Sequence, residues 1–315
     1  MSVTDVGGEM RSYYGRPVIK EPVWKKEIPW YFFTGGLGGA SSVLSLAARV
    51  LGHELLAQRS IQIASAADAV SPPLLIADLG RPERFLNMLR VFKVTSPMSV
   101  GSWILAYSSA ASSVSAFLNT IGRLPRVADL ARTASAFSGA PLAVYTATLI
   151  SDTAIPVWHE ARQELPFLFG ASAVASAGAA AAIAVPVAEA APARRLAVGG
   201  VLVENVVFKA MERRLGMLGE PYSKAEAGKY KKVAVGCTLG GAALIAGPGR
   251  GSRLAAAVGG ALVLAGEVAV RFSVFKAGFQ SARDPKYTVE PQRARSSGQP
   301  AGRSRTRPGS ADASV

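Results

Sequence analysis

The chain has 315 residues, 50% of them apolar and 18% charged, with a mean hydropathy of +0.26 and a formal net charge of +14. Positive mean hydropathy is unusual in a soluble globular protein and ordinary in a polytopic membrane protein. The basic residues lie between apolar runs and in the tail, not along one amphipathic face, so the charge does not point to nucleic acid.

The apolar residues come in long runs without the alternation of half-buried strands, so the expected fold class is all-α. The N-terminal MSVTDVGGEMRSYYGRPVIK has no apolar core behind its charges and is not expected to be a cleaved signal peptide. Eight candidate spans follow: Ile28–Leu51, Ile61–Leu79, Met98–Ile121, Ala134–Trp158, Pro166–Val187, Leu196–Met211, Val233–Ala246 and Leu254–Val270. A straight span needs about 20 apolar residues. The sixth and seventh are shorter than that, and the second and fourth contain Asp68 and Asp152, so six or seven spans are the alternatives to eight. With an even number, the termini and the loops after spans two, four and six share a side. That side carries 26 of the 35 lysines and arginines and the other carries 9, so the positive-inside rule places both termini in the cytoplasm. The domain reading is an N-terminal interfacial segment over 1–27, a membrane domain over 28–276 and an extramembrane tail over 277–315. After about residue 285 the tail is Arg-, Ser-, Gly- and Pro-rich, and disorder is expected there.

Small residues cluster inside the runs: Gly35, Gly36, Gly38 and Gly39 in the first, an Ala-rich stretch in the fifth, and Gly236 and Gly240 in the seventh. In membranes such residues let helix backbones approach closely.

Much chemistry is excluded. Cys237 stands alone, so there is no internal disulfide, and neither a zinc site nor an iron–sulfur cluster can be held through thiolates. His53 and His159 fall on opposite sides of the assigned topology, which rules out a bis-histidine haem. There is no Walker-type or HExxH motif, and no catalytic or metal-ligating set is expected. Ionisable groups inside membrane helices are costly, and they are usually functional or paired. Here they are Asp68, Asp152, Glu204 and Glu267, with Asp78 and Arg81 at the end of span two. In DLGRPERFLNMLR, Gly80 and Pro82 break the helix, Asp78 can pair with Arg81 or Arg84, and Phe85, Leu86, Met88 and Leu89 form an interfacial segment. Asp152 follows Tyr145 by seven residues, two turns along one helix face. The pair can serve a ligand or simply bond to neighbouring helices.

DLGRPERFLNMLR with SPMSVGSWIL resembles the polysulfide reductase membrane-subunit (NrfD-like) family. EIPWYFFTGGLGG, YTATLISDTAIPVWHE and RFSVFKAGFQSARDPKYTVEPQ are similar to the family's first helix, fourth helix and exit from the last helix. The resemblance implies eight transmembrane helices in two four-helix bundles. It also implies partnership with a 4Fe-4S ferredoxin-like subunit and a molybdopterin catalytic subunit, and exchange of electrons with membrane menaquinone or ubiquinone. The chain would then anchor a respiratory oxidoreductase complex in membrane lipid, with neither haem nor iron–sulfur cluster of its own. By position, the implied quinone-binding residues are Tyr145, Glu27 and Trp30. Glu27 and Trp30 stand where the best-described members carry an amide and an imidazole. Asp78, Asp152 and His159 are the expected proton relay, and Arg81, Arg84 and Arg90 the expected partner-docking cap. Two rivals stay open: a secondary transporter or proton-translocating subunit without a quinone site, and a purely structural anchor.

Overall fold

The computed structural model describes residues 18–296, and among these every regular element is helical. In chain order they are α1 (Glu27–Val50), α2 (Glu54–Asp78), α3 (Phe85–Arg90), α4 (Pro97–Ile121), α5 (Pro125–Ser151), α6 (Pro156–Glu160), α7 (Leu165–Ala184), α8 (Ala191–Leu215), α9 (Ala225–Ala246), α10 (Arg253–Arg283) and α11 (Lys286–Ser296), joined by short 3₁₀ turns. Prolines open α4, α5 and α6, where a missing N–H costs nothing, and Ser96 and Ser252 cap α4 and α10 by accepting the N–H groups of Ser99 and Ala255. Helix α4 stops at Gly122, whose φ of +65° suits a residue without a side chain.

Helices α1, α2, α4 and α5 pack together, and α7, α8, α9 and α10 form a second group. The groups meet along α1, α5, α7 and α10. The long helices alternate in direction. The start of α1 and the ends of α2, α5, α8 and α10 therefore share one end of the molecule, called here the Asp78 end. The Asp78 end holds the Arg283–Glu21, Arg214–Glu164 and Lys286–Glu220 ion pairs. The opposite end is marked by Arg49, which pairs with Glu54 and Asp129.

Three helices, α2, α7 and α10, are long and apolar enough to cross a membrane by length and composition. Several of the others are less apolar because serines and glycines lie along their inner faces. On α4, Trp103, Tyr107, Val114 and Phe117 are exposed, whereas Ser108, Ser112 and Ser115 are fully buried. Apolar residues outside and hydroxyls inside is the pattern expected when the solvent is lipid.

Cohesion then rests on close backbone approach. A Cβ on Gly139 of α5 would stand 2.6 Å from the carbonyl oxygen of Gly39 on α1, and one on Gly39 would overlap the Gly139 backbone. Gly200 sits likewise against Ala175, and Gly241 against the Gly259 carbonyl at 2.5 Å. The glycines picked out in the seventh span, Gly236 and Gly240, face open space; the contact belongs to Gly241.

Several boundaries differ from the sequence reading: α2, α8 and α9 begin before the expected spans, at Glu54, Ala191 and Ala225. The fourth span breaks at Asp152, where α5 ends, and the chain restarts as α6 at Pro156. Helix α5 begins at Pro125 and α10 runs on to Arg283, both beyond the apolar windows, because buried arginines continue their inner faces. The tail is helical over Lys286–Ser296 where disorder was expected. Tyr287 is buried against the core, and Lys286 pairs with Glu220. Residues 1–17 and 297–315, with the rest of the expected tail, lie outside the described residues.

Gly139→Leu should force α1 and α5 apart and cost at least about 1–3 kcal/mol, read as a lower thermal midpoint in detergent, while Gly236→Leu leaves the midpoint unchanged. Glu220 is held below the usual carboxylate range by Lys224 and Lys286. A depressed folded value means that its contribution is complete above the unfolded value of 4.5 and fades as pH falls through the folded one. Protease sensitivity around Lys286 and Arg293 should therefore rise only below pH 4.5.

Candidate functional site

The first turns of α1 bring Glu27 and Tyr31 onto one face, four residues apart. Tyr31 is fully buried, and its hydroxyl shares a 2.6 Å hydrogen bond with that of Tyr145 on α5. The rings meet edge to face, with centroids 6.5 Å apart. The Tyr145 ring packs against Gly101 on α4, where any Cβ would overlap it. Gly101 belongs to SPMSVGSW, so the glycine in that motif is the seat of the tyrosine.

A hydroxyl pair uses one proton for the internal bond and leaves the other free for a third group. Nearby, Glu27 holds a buried oxygen, Oε2, with no partner. Asp78 lies within electrostatic reach of Glu27, and its Oδ1 accepts the backbone N–H of Lys25 at 2.7 Å. The carboxylate thus ties the end of α2 to the segment leading into α1, and it forms no ion pair with Arg81 or Arg84, contrary to the pairing considered from the sequence.

Deeper in the same group, Thr34 and Ser71 share a hydrogen bond at 2.7 Å. Asp68 is fully buried and accepts from Ser108 at 3.1 Å and Ser112 at 2.9 Å, while its other oxygen fills the space where a side chain on Gly38 would be. Pro72 has no N–H for the Asp68 carbonyl, and Ser109 supplies the missing donor at 3.3 Å. Asp68 therefore stands about 10 Å, two helical turns, below Tyr31 along α1.

The other expected residues scatter. Trp30 points away from Tyr145, is 44% exposed, and meets Phe272 of α10 edge-on at 5.9 Å. Asp152 is an exposed residue capping the end of α5, outside any helix, so it shares no helix face with Tyr145. His159 is exposed on α6 and lines a cavity of about 220 Å³ with Ile19, Thr153 and Tyr287. Arg81, Arg84 and Arg90 are all exposed around α3, beside the exposed apolar residues Leu86, Val91 and Phe92.

Sequence reasoning missed Tyr31, Arg132 and Arg271. Tyr31 is one of several aromatics in WYFF, and only its partner distinguishes it. Arg132 and Arg271 are almost wholly buried, yet they lie just outside the apolar windows that ended at Ala134 and Val270. Among the described residues there is no group of His, Cys, Asp or Glu that could hold a metal ion.

The tyrosine pair, the motif glycine and a bundle with its hydroxyls turned inward together define a helical membrane protein with buried polar groups near one end. The family description "Polysulphide reductase, NrfD" matches residues 18–211, from the segment before α1 to the last turns of α8, and the chain belongs to that family. It is accordingly a membrane subunit of a redox complex. No curated protein matches it.

Gly101→Val should displace the Tyr145 ring and break the tyrosine pair. The expected readout is a changed near-ultraviolet tyrosine circular-dichroism signal together with a lower thermal midpoint, while Gly199→Val, which faces open space, changes neither.

Proposed function

We propose that the chain anchors a molybdopterin and iron–sulfur oxidoreductase in the membrane and binds quinone at the Tyr31–Tyr145 pair. The observation that carries this is a hydroxyl pair with one proton to spare, one turn from a buried, unpartnered Glu27 oxygen. A quinone head group needs donors at its two carbonyls inside an apolar enclosure. Tyr145 donates to one carbonyl, and Tyr31 holds the Tyr145 hydroxyl in position. Glu27 offers the second polar contact, and Trp30, at the outer edge of α1, is a wall of the approach rather than a donor to the head group.

The quinone supplies two-electron, two-proton chemistry, and electrons pass to or from a ferredoxin-like partner. This chain's residues handle the protons. Glu27 and Asp78 lie at the Asp78 end, where protons can reach water, and His159 sits on the rim of that same end. Asp68 with its serines gives a second reservoir two turns deeper. Asp152, exposed at the end of α5, takes part only as a surface group.

The partner docks on the same end. Arg81, Arg84 and Arg90 with the bare apolar side chains of α3 form a basic, sticky cap that suits an acidic ferredoxin-like surface. All eight long helices cross the bilayer, the less apolar ones with their hydroxyls turned inward. The positive-inside rule, applied to the excess of basic residues, supports a cytoplasmic location for the Asp78 end and for both termini.

The test is quinol-linked turnover by the purified complex, with iron and molybdenum measured in the same preparation. Tyr145→Phe and Tyr31→Phe each remove about 0.5–1.5 kcal/mol of hydrogen bonding, so turnover should fall about 2- to 10-fold while metal content stays constant. Unchanged turnover in both variants would reject the site. Absence of co-purified metal would reject the complex.

A further inference from the structure

A second buried polar centre lies in the other helix group, apart from the tyrosine pair. Glu204 of α8 is 2% exposed, and Glu267 and Arg271 of α10, one turn apart, are 0% and 1% exposed. The two carboxyl groups are within hydrogen-bonding reach of each other. Ser172 of α7 donates to Glu267 Oε2. Arg271 donates from Nη2 to the Phe169 carbonyl at 3.1 Å, lies over the Phe169 ring at 3.8 Å, and packs against Gly36 of α1. One oxygen on each glutamate, and Arg271 Nε and Nη1, have no partner.

Two facts constrain the charge state. Two ionised carboxylates cannot hydrogen-bond to each other, because neither has a proton to donate. Two glutamates against one arginine also leave one uncompensated negative charge in a lipid-embedded core, at a cost of several kcal/mol. One bound proton removes both difficulties: it supplies the donor and brings the triad to neutrality.

The centre is open on one side. Glu204 lines a cavity of about 290 Å³ that also touches Asn205, Lys209, Glu212, Lys231 and Val270. At roughly 30 Å³ per molecule it has room for several waters. Glu212 and Lys231, an ion pair, belong to the end of α8 and the beginning of α9, so the cavity leads toward the Asp78 end. Toward the opposite end the path meets the apolar packing of Ala197, Val201, Ala242, Ile245 and Val263.

We propose that Glu204, Glu267 and Arg271 form a proton-binding site, loaded through the Glu212–Lys231 cavity from the Asp78 end and sealed toward the other. The proton resides on a carboxyl oxygen of one glutamate and is donated to the other. Loading and unloading move one positive charge between the site and water and require no electron. The groups that face the pair are Ser172 from α7, Arg271 from α10, and Lys209, Glu212 and Lys231 along the cavity. Helix α9 contributes Ala234 and Val235 to the wall beside Lys231, and Gly36 of α1 lies against Arg271.

Infrared spectroscopy of the full chain in vesicles, with no quinone added, tests this. The wild type should show a protonated-carboxyl carbonyl band that shifts when the vesicles are moved to D₂O. Glu204→Gln and Glu267→Gln should each abolish that band, because glutamine donates the hydrogen bond and the single remaining carboxylate balances Arg271. Wild type minus variant isolates the band from any contribution of Asp68. Mapping of an apolar carbodiimide, which attacks protonated carboxyls, should find Glu204 or Glu267 labelled in wild type and unlabelled in either variant. The proposal is overturned if the variants remove no band and no label. A band that persists without shifting in D₂O overturns it equally, since that is a sealed structural bond. Neither result depends on quinone binding at Tyr145, so the two sites stand or fall separately.

Discussion

Lipid offers no hydrophobic force between helices, and this molecule is cohesive because its backbones touch. Gly39 and Gly139 face one another across α1 and α5, Gly200 lies on Ala175, and Gly241 and Gly259 close α9 onto α10. Where side chains vanish from an interface, dispersion contacts between main chains and short hydroxyl bonds take over. Ser42 with Ser135 at 2.7 Å, between α1 and α5, is such a bond. The same absence of side chains makes room for buried polar groups. Gly101 leaves room for the Tyr145 ring, and Gly38 leaves room for the Asp68 carboxylate.

Polar groups held this way are costly unless satisfied, and the satisfaction is local. The serines of α4 serve Asp68, and Trp158 donates its indole N–H to the Val274 carbonyl at 2.8 Å. Among the described residues, buried side-chain atoms without a partner are scattered singly over Ser41, Ser60, Asp68, Arg132, Thr146 and Tyr222; the others lie on Glu27 beside the tyrosine pair and, as a group, on Glu204, Glu267 and Arg271 in the second helix group. Buried orphans of this kind call for an explanation in a native protein. For the Glu27 oxygen and for the Glu204, Glu267 and Arg271 group, the proposed completions are a ligand and a proton, respectively. The two centres sit on opposite sides of α1, which carries Tyr31 on one face and Gly36 against Arg271 on another.

Apolar runs interrupted by charge were enough to read the helices, since each of the eight proposed spans overlaps one long helix. The boundaries were less legible. Hydropathy ends a span at the first charge, but Arg132 and Arg271 are buried because partners across the bundle accept them: Ser45 for one and the Phe169 carbonyl and ring for the other. Asp152 erred in the opposite sense. Its apolar flanks suggested an intramembrane carboxylate, whereas α5 ends beside it and leaves it in the open.

The family motifs pointed to Tyr145 and to the end of α2 without naming what they touch. Composition and periodicity by themselves determined that the chain is helical, membrane-embedded and basic at one end, because those properties are sums over residues and need no neighbours. Only tertiary structure decided which tyrosine Tyr145 meets, that Asp78 binds a main-chain N–H in place of an arginine, and that two glutamates share space with Arg271. Such pairings join residues 53 to 114 positions apart, and no local pattern records a contact that exists only once separate helices have been brought side by side.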